Sequence, residues 1–227
     1  MHPRHIKNYV NLMTRDLDYK EESQIHEIFP KVVARHDNIC LDLIPDMIEI
    51  LDGIRDQSSS NQVLNVNSSH TTIETIHRLP VFKDLNKEIL RVARDFMVQY
   101  GYDPLRRNDL YMSNMWFNHS NRGNFIFPHI HHGSFLSCAY YLRANEEKHT
   151  VLFHDFSKNL HEETQTFNHL NEVAFAMPCK PGRLLIFHSD FPHAVPQQET
   201  EEDRIVISGN MILKTIPSEE RGAIKIS

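Results

Sequence analysis

"FPHIHHGSFLSCAYYLR", residues 127–143, opens with three histidines, His129, His131 and His132, and passes at once into small, aromatic and aliphatic residues. The run after Gly133 reads as a strand. It belongs to a series that begins near residue 111: "LYMSNMWFN", "SFLSCAYYLR", "TVLFHD", "EVAFAMP", "GRLLIFH" and "RIVISGNMIL". Each run is short and rich in β-branched and aromatic residues, with Gly, Asn or Pro breaks between. No helical pattern separates them, so the series predicts an all-β sandwich or barrel rather than a βαβ sheet.

Upstream the texture is helical. In "NICLDLIPDMIEILDGIRDQ", Ile44, Met47, Ile48, Leu51 and Ile54 share one helix face, with Pro45 in the first turn where its missing N–H costs little. In "LNKEILRVARDFMVQYG", Leu85, Ile89, Val92, Phe96 and Met97 align, and Gly101 is a natural stop. "FPKVVARHDN" reads as a strand from Phe29 to Arg35, "SSSNQ" as a loop, and residues 1–25 as a polar, charged segment. The expected plan is segment 1–25 followed by one domain over 26–227. Residues 26–108 would be mostly helical support, packed against a β core over 109–215. The fold class is α+β, mainly β.

The formal net charge is -6, and no dense Lys/Arg run marks a nucleic-acid partner. No apolar stretch approaches the roughly 20 residues of a membrane span, and the N-terminus lacks the apolar region of a secretory signal. Cys40, Cys138 and Cys179 are scattered and odd in number, which fits neither a disulfide framework nor a zinc spacing. These features predict a soluble protein of a reducing, cytoplasmic compartment; a phage product acting in its host's cytoplasm fits equally. Histidine is the outlier. Ten of the chain's 16 histidines lie between residues 119 and 193, a bias that points to metal chemistry.

Three features carry that chemistry. His129 and His131, if extended, leave one strand face and can take adjacent positions on one metal ion. About 60 residues later, "HSDFPHAVPQ" holds His188 and His193. His193 follows the "FP" that ends a strand and is the better ligand, whereas His188 reads as a packed strand residue. A non-haem iron site needs three such facial ligands and leaves positions open for substrate and O₂. In "DRIVISGN", Arg204, Val206, Ser208 and Asn210 share one face of a strand otherwise fit for burial. A buried guanidinium needs an anionic partner, and Arg204 with a neighbouring hydroxyl suits the distal group of a dicarboxylate. The competing reading is an exposed Asp203/Arg204 pair at a strand end.

The ordered set resembles the iron(II)- and 2-oxoglutarate-dependent oxygenase superfamily, in its prolyl-hydroxylase-like branch and most closely among its bacterial and phage members. The residues that carry the resemblance are "MWFNHSNRGNFIFPHIHHGSFLSCAYYL", "PGRLLIFHSDFPHAV" and "RIVISGN", with "FPKVVARHDN" and "LPVFKDLNKEIL" as the lead-in. It spans about residues 28–213. It implies a double-stranded β-helix, a jelly-roll or cupin-like barrel with the N-terminal helices packed against it. It implies Fe(II) held by His129, His131 and His193, and 2-oxoglutarate held by Arg204, with Tyr141 and Ser208 as further contacts. The reaction implied is O₂-dependent hydroxylation with release of succinate and CO₂. Asn118 and Asn124 would stand on the substrate side, and Trp116 in the core. The substrate would be a small molecule or a peptide.

One departure matters: histidine stands at position 131, where the superfamily usually has Asp or Glu. Either all three histidines ligate, or only one of His129 and His131 does and the other meets substrate; Asp155 is a remote candidate for the carboxylate. A zinc hydrolase of the H-x-H-x-D-H type is disfavoured, because Gly133 stands where its Asp should be and the helices do not alternate with the strands. The remaining alternative is a non-catalytic cupin-like metal-binding or structural barrel, which has no need of a buried arginine.

Overall fold

In the computed structural model, residues 30–55, 59–61, 65–102, 108–158, 166–168 and 171–215 are described. The chain divides between Lys31 and Val32; of the unit 1–31, only Pro30 and Lys31 are among the described residues. The elements all lie in the unit from Val32 onward. They run β1 (Val33–His36), α1 (Ile44–Ile54), β2 (Ser59–Asn61), β3 (Val66–Ser68), α2 (Pro80–Gln99), β4 (Asn108–Ser120), β5 (Ile126–His129), β6 (Leu136–Arg143), β7 (Thr150–His154), β8 (Ala174–Pro178), β9 (Leu184–His188), β10 (His193–Val195) and β11 (Arg204–Thr215).

Pro80 occupies the first turn of α2, where no intrahelical N–H is required. The helix then buries Phe82, Leu85, Ile89, Val92, Ala93, Phe96 and Met97 along one face. Burial of each large apolar side chain contributes roughly 1.5–3 kcal/mol, so a charge at Leu85 or Ile89 would undock the helix. Gly101, at φ +88, ends it in a conformation a side chain would resist. None of the described helices is long and apolar enough to cross a membrane.

The named strands pair antiparallel in two sheets. The larger has seven strands in the order β1-β9-β6-β11-β4-β3-β2, and the smaller four in the order β5-β10-β7-β8. Alternation along β11 divides the interior in two. Ile205, Ile207 and Met211 join Leu136, Leu184, Ile186 and the buried residues of α1 and α2 in one core. Val206 faces the other way and packs with Tyr141, Leu185, Phe187, Val151 and Phe153 between the sheets. The helices thus cover one face of the large sheet, and its other face is left to close against the small sheet.

Three elements differ from the sequence reading. Ser59–Asn61 is not a loop: it pairs with β3 as an edge strand, which needs only backbone groups and so leaves no mark in an all-polar tripeptide. β1 begins at Val33 and runs to His36, and Phe29 lies outside the described residues. His129 and His131 do not share one strand: β5 ends at His129, and His131 lies beyond it, held by its own N–H to the carbonyl of Ser189.

Candidate active site

A cavity of about 770 Å³ opens between the two sheets. One wall carries His129 from the end of β5, His131 from the segment before the Gly133 turn (φ +78), and His193 from the start of β10. His193 pairs directly with His129 across the β5–β10 ladder, so two of the three rings are adjacent by register. Their ring centroids are 4.3 Å apart, and His131 lies 4.9 Å from His193 and 5.2 Å from His129. One nitrogen from each ring falls within 4.8 Å of the others.

Hydrogen bonds decide which nitrogen is free. The Nδ1–H of His129 donates to the carbonyl of Phe127 and that of His193 to the carbonyl of Phe191, both at 2.9 Å. His131 turns its Nδ1 to the amide oxygen of Asn210 at 2.5 Å. Each partner is an oxygen acceptor, so Nδ1 carries the proton and the Nε2 lone pair is left for a metal. Burial removes water from the rings and drives their pKa values down: to about 4 for His131, to about 3 for His193, and below the usual value for His129. The three imidazoles are therefore neutral at pH 7 and ready to ligate. Three nitrogen donors suit iron, zinc, copper or nickel better than magnesium or calcium. Among the described residues no carboxylate joins the group.

At the buried end of the same cavity lies Arg204, 2% exposed. Its neighbour Asp203 is committed elsewhere, to His119 at 2.9 Å and Arg143 at 2.7 Å. Arg204 itself reaches the carbonyl of Thr150 at 3.5 Å and the hydroxyl of Ser120 at 3.3 Å, with the neutral Cys179 thiol as a further neighbour, and its Nε has no hydrogen-bond partner. Among the described residues it makes no ion pair. A buried guanidinium without an anion is costly, and Arg204 lines a cavity that can admit a carboxylate. Ser208, two turns of the pleat further along the same face of β11, lines this space and accepts from the side-chain amide of Asn118 at 3.3 Å. Tyr141 lines it from β6, with its hydroxyl against the Cys179 thiol. Burial pushes its pKa well above 10, so the phenol stays a donor.

Residues 114–210 match the family described as "Putative 2OG-Fe(II) oxygenase". The fold is that of solved members of this class. A prolyl-4-hydroxylase from Pseudomonas putida aligns over 80% of this chain and 92% of its own, with 13% identity and a TM-score of 0.55. A viral collagen prolyl hydroxylase from Paramecium Bursaria Chlorella virus-1, solved with 2OG, aligns over 79% and 94%, with 12% identity and a TM-score of 0.52. The family match lies in the β core of the chain, and these neighbours share its fold. The same double-stranded β-helix recurs in the epimerase SnoN of nogalamycin biosynthesis, solved with Fe3+ and alpha ketoglutarate, which covers 82% of each chain at 11% identity and a TM-score of 0.58. No curated protein matches the sequence.

In this chain the cavity gathers His129, His131, His193, Arg204, Tyr141, Ser208 and Asn118, and omits two residues placed there from sequence. Asn124 turns its side chain onto the backbone N–H of Asn121, closing the loop between β4 and β5. Asp155 accepts from the N–H and hydroxyl of Ser157 and caps its own turn. Both are short polar side chains whose nearest donors lie within three residues, and local bonds win there. His188 packs among Phe96, Tyr100 and Phe135 on the helix side of the large sheet. Trp116, expected in the core, is buried and yet lines the cavity, with His70 edge-on at 4.5 Å and His131 at 5.7 Å. Sequence reasoning missed His70 and Glu74 at the mouth, and gave no role to Ser137, Ser189 or Asn210. Ser137 was within reach, because it shares strand parity with Tyr141.

Proposed function

We propose that this chain is an Fe(II)- and 2-oxoglutarate-dependent dioxygenase that hydroxylates a small-molecule or peptide substrate, with the unit from Val32 onward as its catalytic domain. His129, His131 and His193 hold the metal. Arg204 and Ser208 receive the distal carboxylate of the co-substrate, and the Tyr141 hydroxyl donates to it. One juxtaposition carries the reading: three neutral imidazoles and an uncompensated buried guanidinium share a single cavity. When bound, the iron(II)–2-oxoglutarate pair supplies O₂ activation, with succinate and CO₂ released and one oxygen atom passed to the substrate.

The protein's own residues supply position and dryness. The guanidinium presents N–H groups in a fixed fork that a carboxylate meets bidentately. Val206, Val151, Phe153, Leu185 and Phe187 line the interior and exclude water around it. At the mouth, Trp116, His70, Glu74 and Asn118 form the substrate side. Among the described residues that end holds one carboxylate, Glu74, and no lysine or arginine, which favours a neutral or cationic substrate group over an anionic one. The free thiols of Cys40, Cys138 and Cys179 fit a cytoplasmic setting.

Anaerobic addition of Fe(II) and 2-oxoglutarate to the full chain is expected to give a visible charge-transfer band that His193→Ala and Arg204→Ala abolish. Folded protein without a band would overturn the proposal. A band that persists in Arg204→Ala would remove Arg204 from co-substrate binding. A non-catalytic metal-binding barrel would take up the metal and give no band.

A further inference from the structure

Each of the three histidines has a different holder. His129 and His193 donate to carbonyls two residues behind them, so the local backbone fixes their tautomers. His131 lies outside any strand, and its Nδ1 meets a side chain from across the barrel, the amide oxygen of Asn210. That oxygen accepts a second bond, from the Ser137 hydroxyl at 2.9 Å, and Ser137 is in turn 2.8 Å from the Ser189 hydroxyl. Ser137 also lies 3.0 Å from the His131 Nδ1. All three supporting residues are buried: Ser137 at 0%, Ser189 at 1% and Asn210 at 8% exposure.

The donors and acceptors close in one direction. The Ser189 hydroxyl donates to Ser137, Ser137 donates to the Asn210 oxygen, and His131 donates its Nδ1–H to the second lone pair of that oxygen. The backbone builds the arrangement. Asn210 and Ser137 face each other across β11 and β6, and the register of β11 against β4 shifts immediately after Asn210. A shift of this kind re-aims side chains. The Ser189 carbonyl also receives the backbone N–H of His131, so one residue anchors both the segment and the network.

We propose that Asn210, backed by Ser137 and Ser189, is the positioning residue that makes His131 a metal ligand: it fixes the tautomer that frees Nε2 and the angle at which the ring meets the ion. This rests on the metal-site reading above. An amide in this place keeps the support of all three ligands uncharged, whereas a carboxylate partner is the common alternative for a metal-bound histidine.

Cobalt(II) titrated into the full chain tests it. Wild type is expected to show three exchangeable, hyperfine-shifted N–H proton resonances, one for each Nδ1–H. Asn210→Leu should bind cobalt about 10–100-fold more weakly and lose one of the three resonances. Asn210→Asp should restore that resonance, shifted, with affinity at or above wild type. If Asn210→Leu keeps all three resonances and binds within about twofold of wild type, Asn210 has no positioning role. Should Asn210→Leu fail to fold, Asn210→Asp decides: an unmoved resonance with unchanged affinity overturns the proposal. Wild type that binds no cobalt, or His193→Ala that binds it undiminished, overturns the metal-site reading instead.

Discussion

Arg183 and Arg204 are both buried guanidiniums, 1% and 2% exposed, and the fold treats them in opposite ways. Arg183 donates to both carboxylate oxygens of Asp37, at 2.7 and 3.1 Å, to Glu146 at 2.7 Å, and to the carbonyl of Pro178 at 2.6 Å. That partnership holds the Asp37 carboxyl well below the usual carboxylate range. It ties the residue after β1 to the residue before β9 and to the turn after β6. Arg204 has a hydroxyl, a carbonyl and an orphaned Nε. The first arginine finds its charge balance inside the chain and stabilises the fold. The second costs stability until an anion arrives, which is how a binding site differs from a structural ion pair of the same residue type.

Substitutions should separate the two. Arg183→Met leaves Asp37 with Lys180 at 3.1 Å and Arg35 at 3.6 Å but removes the bidentate pair, and is expected to lower the free energy of unfolding by about 2 kcal/mol, measured by urea denaturation; a loss below about 1 kcal/mol would erase the distinction. Arg204→Met should leave stability within about 1 kcal/mol of wild type or raise it, while 2-oxoglutarate affinity of the metal-loaded protein, read by calorimetry, falls about 100-fold. Acid should expose the same contrast. His131 and His193 have folded pKa values depressed to about 4 and about 3, so the unfolded chain binds more protons below about pH 6.5. Stability of the metal-free protein is then lost as pH falls from about 6.5 toward 4, by several kcal/mol, and His193→Ala should flatten that limb. The Asp37 contribution is present above pH 3.8 and disappears only below it, so Arg183→Met should leave the upper limb intact. The smallest effect belongs to Ser208→Ala, which removes one hydrogen bond and should weaken 2-oxoglutarate binding about fivefold, roughly 1 kcal/mol.

The parts legible in the sequence are those whose signal is periodic. Alternation along "RIVISGN" sends Arg204, Val206, Ser208 and Asn210 to one face and Ile205, Ile207 and Met211 to the other, and the structure has this division. The apolar spacing of α2 and its glycine stop were equally readable. What escaped depends on register and on loop closure. Nothing in the spacing of Ser137, Ser189 and Asn210 says that three separated residues meet in one buried network. Asn124 and Asp155 show the converse: a polar residue near a site in sequence is drawn onto its own turn. Trp116 is both buried and cavity-lining because the cavity is itself interior, so a core side chain and a site side chain are one.

β10, the strand that carries His193, is three residues long, whereas β11, which carries Arg204, has twelve; both are laddered on two sides, β10 over far fewer residues. Stability within a domain is uneven, and short elements with few backbone bonds open locally without global unfolding. Amide exchange is therefore expected to be faster at Ala194 and Val195 than at Val206–Met211. The metal-bearing and anion-binding ends of the cavity would then fluctuate independently, and loss of the ion need not entail loss of the fold.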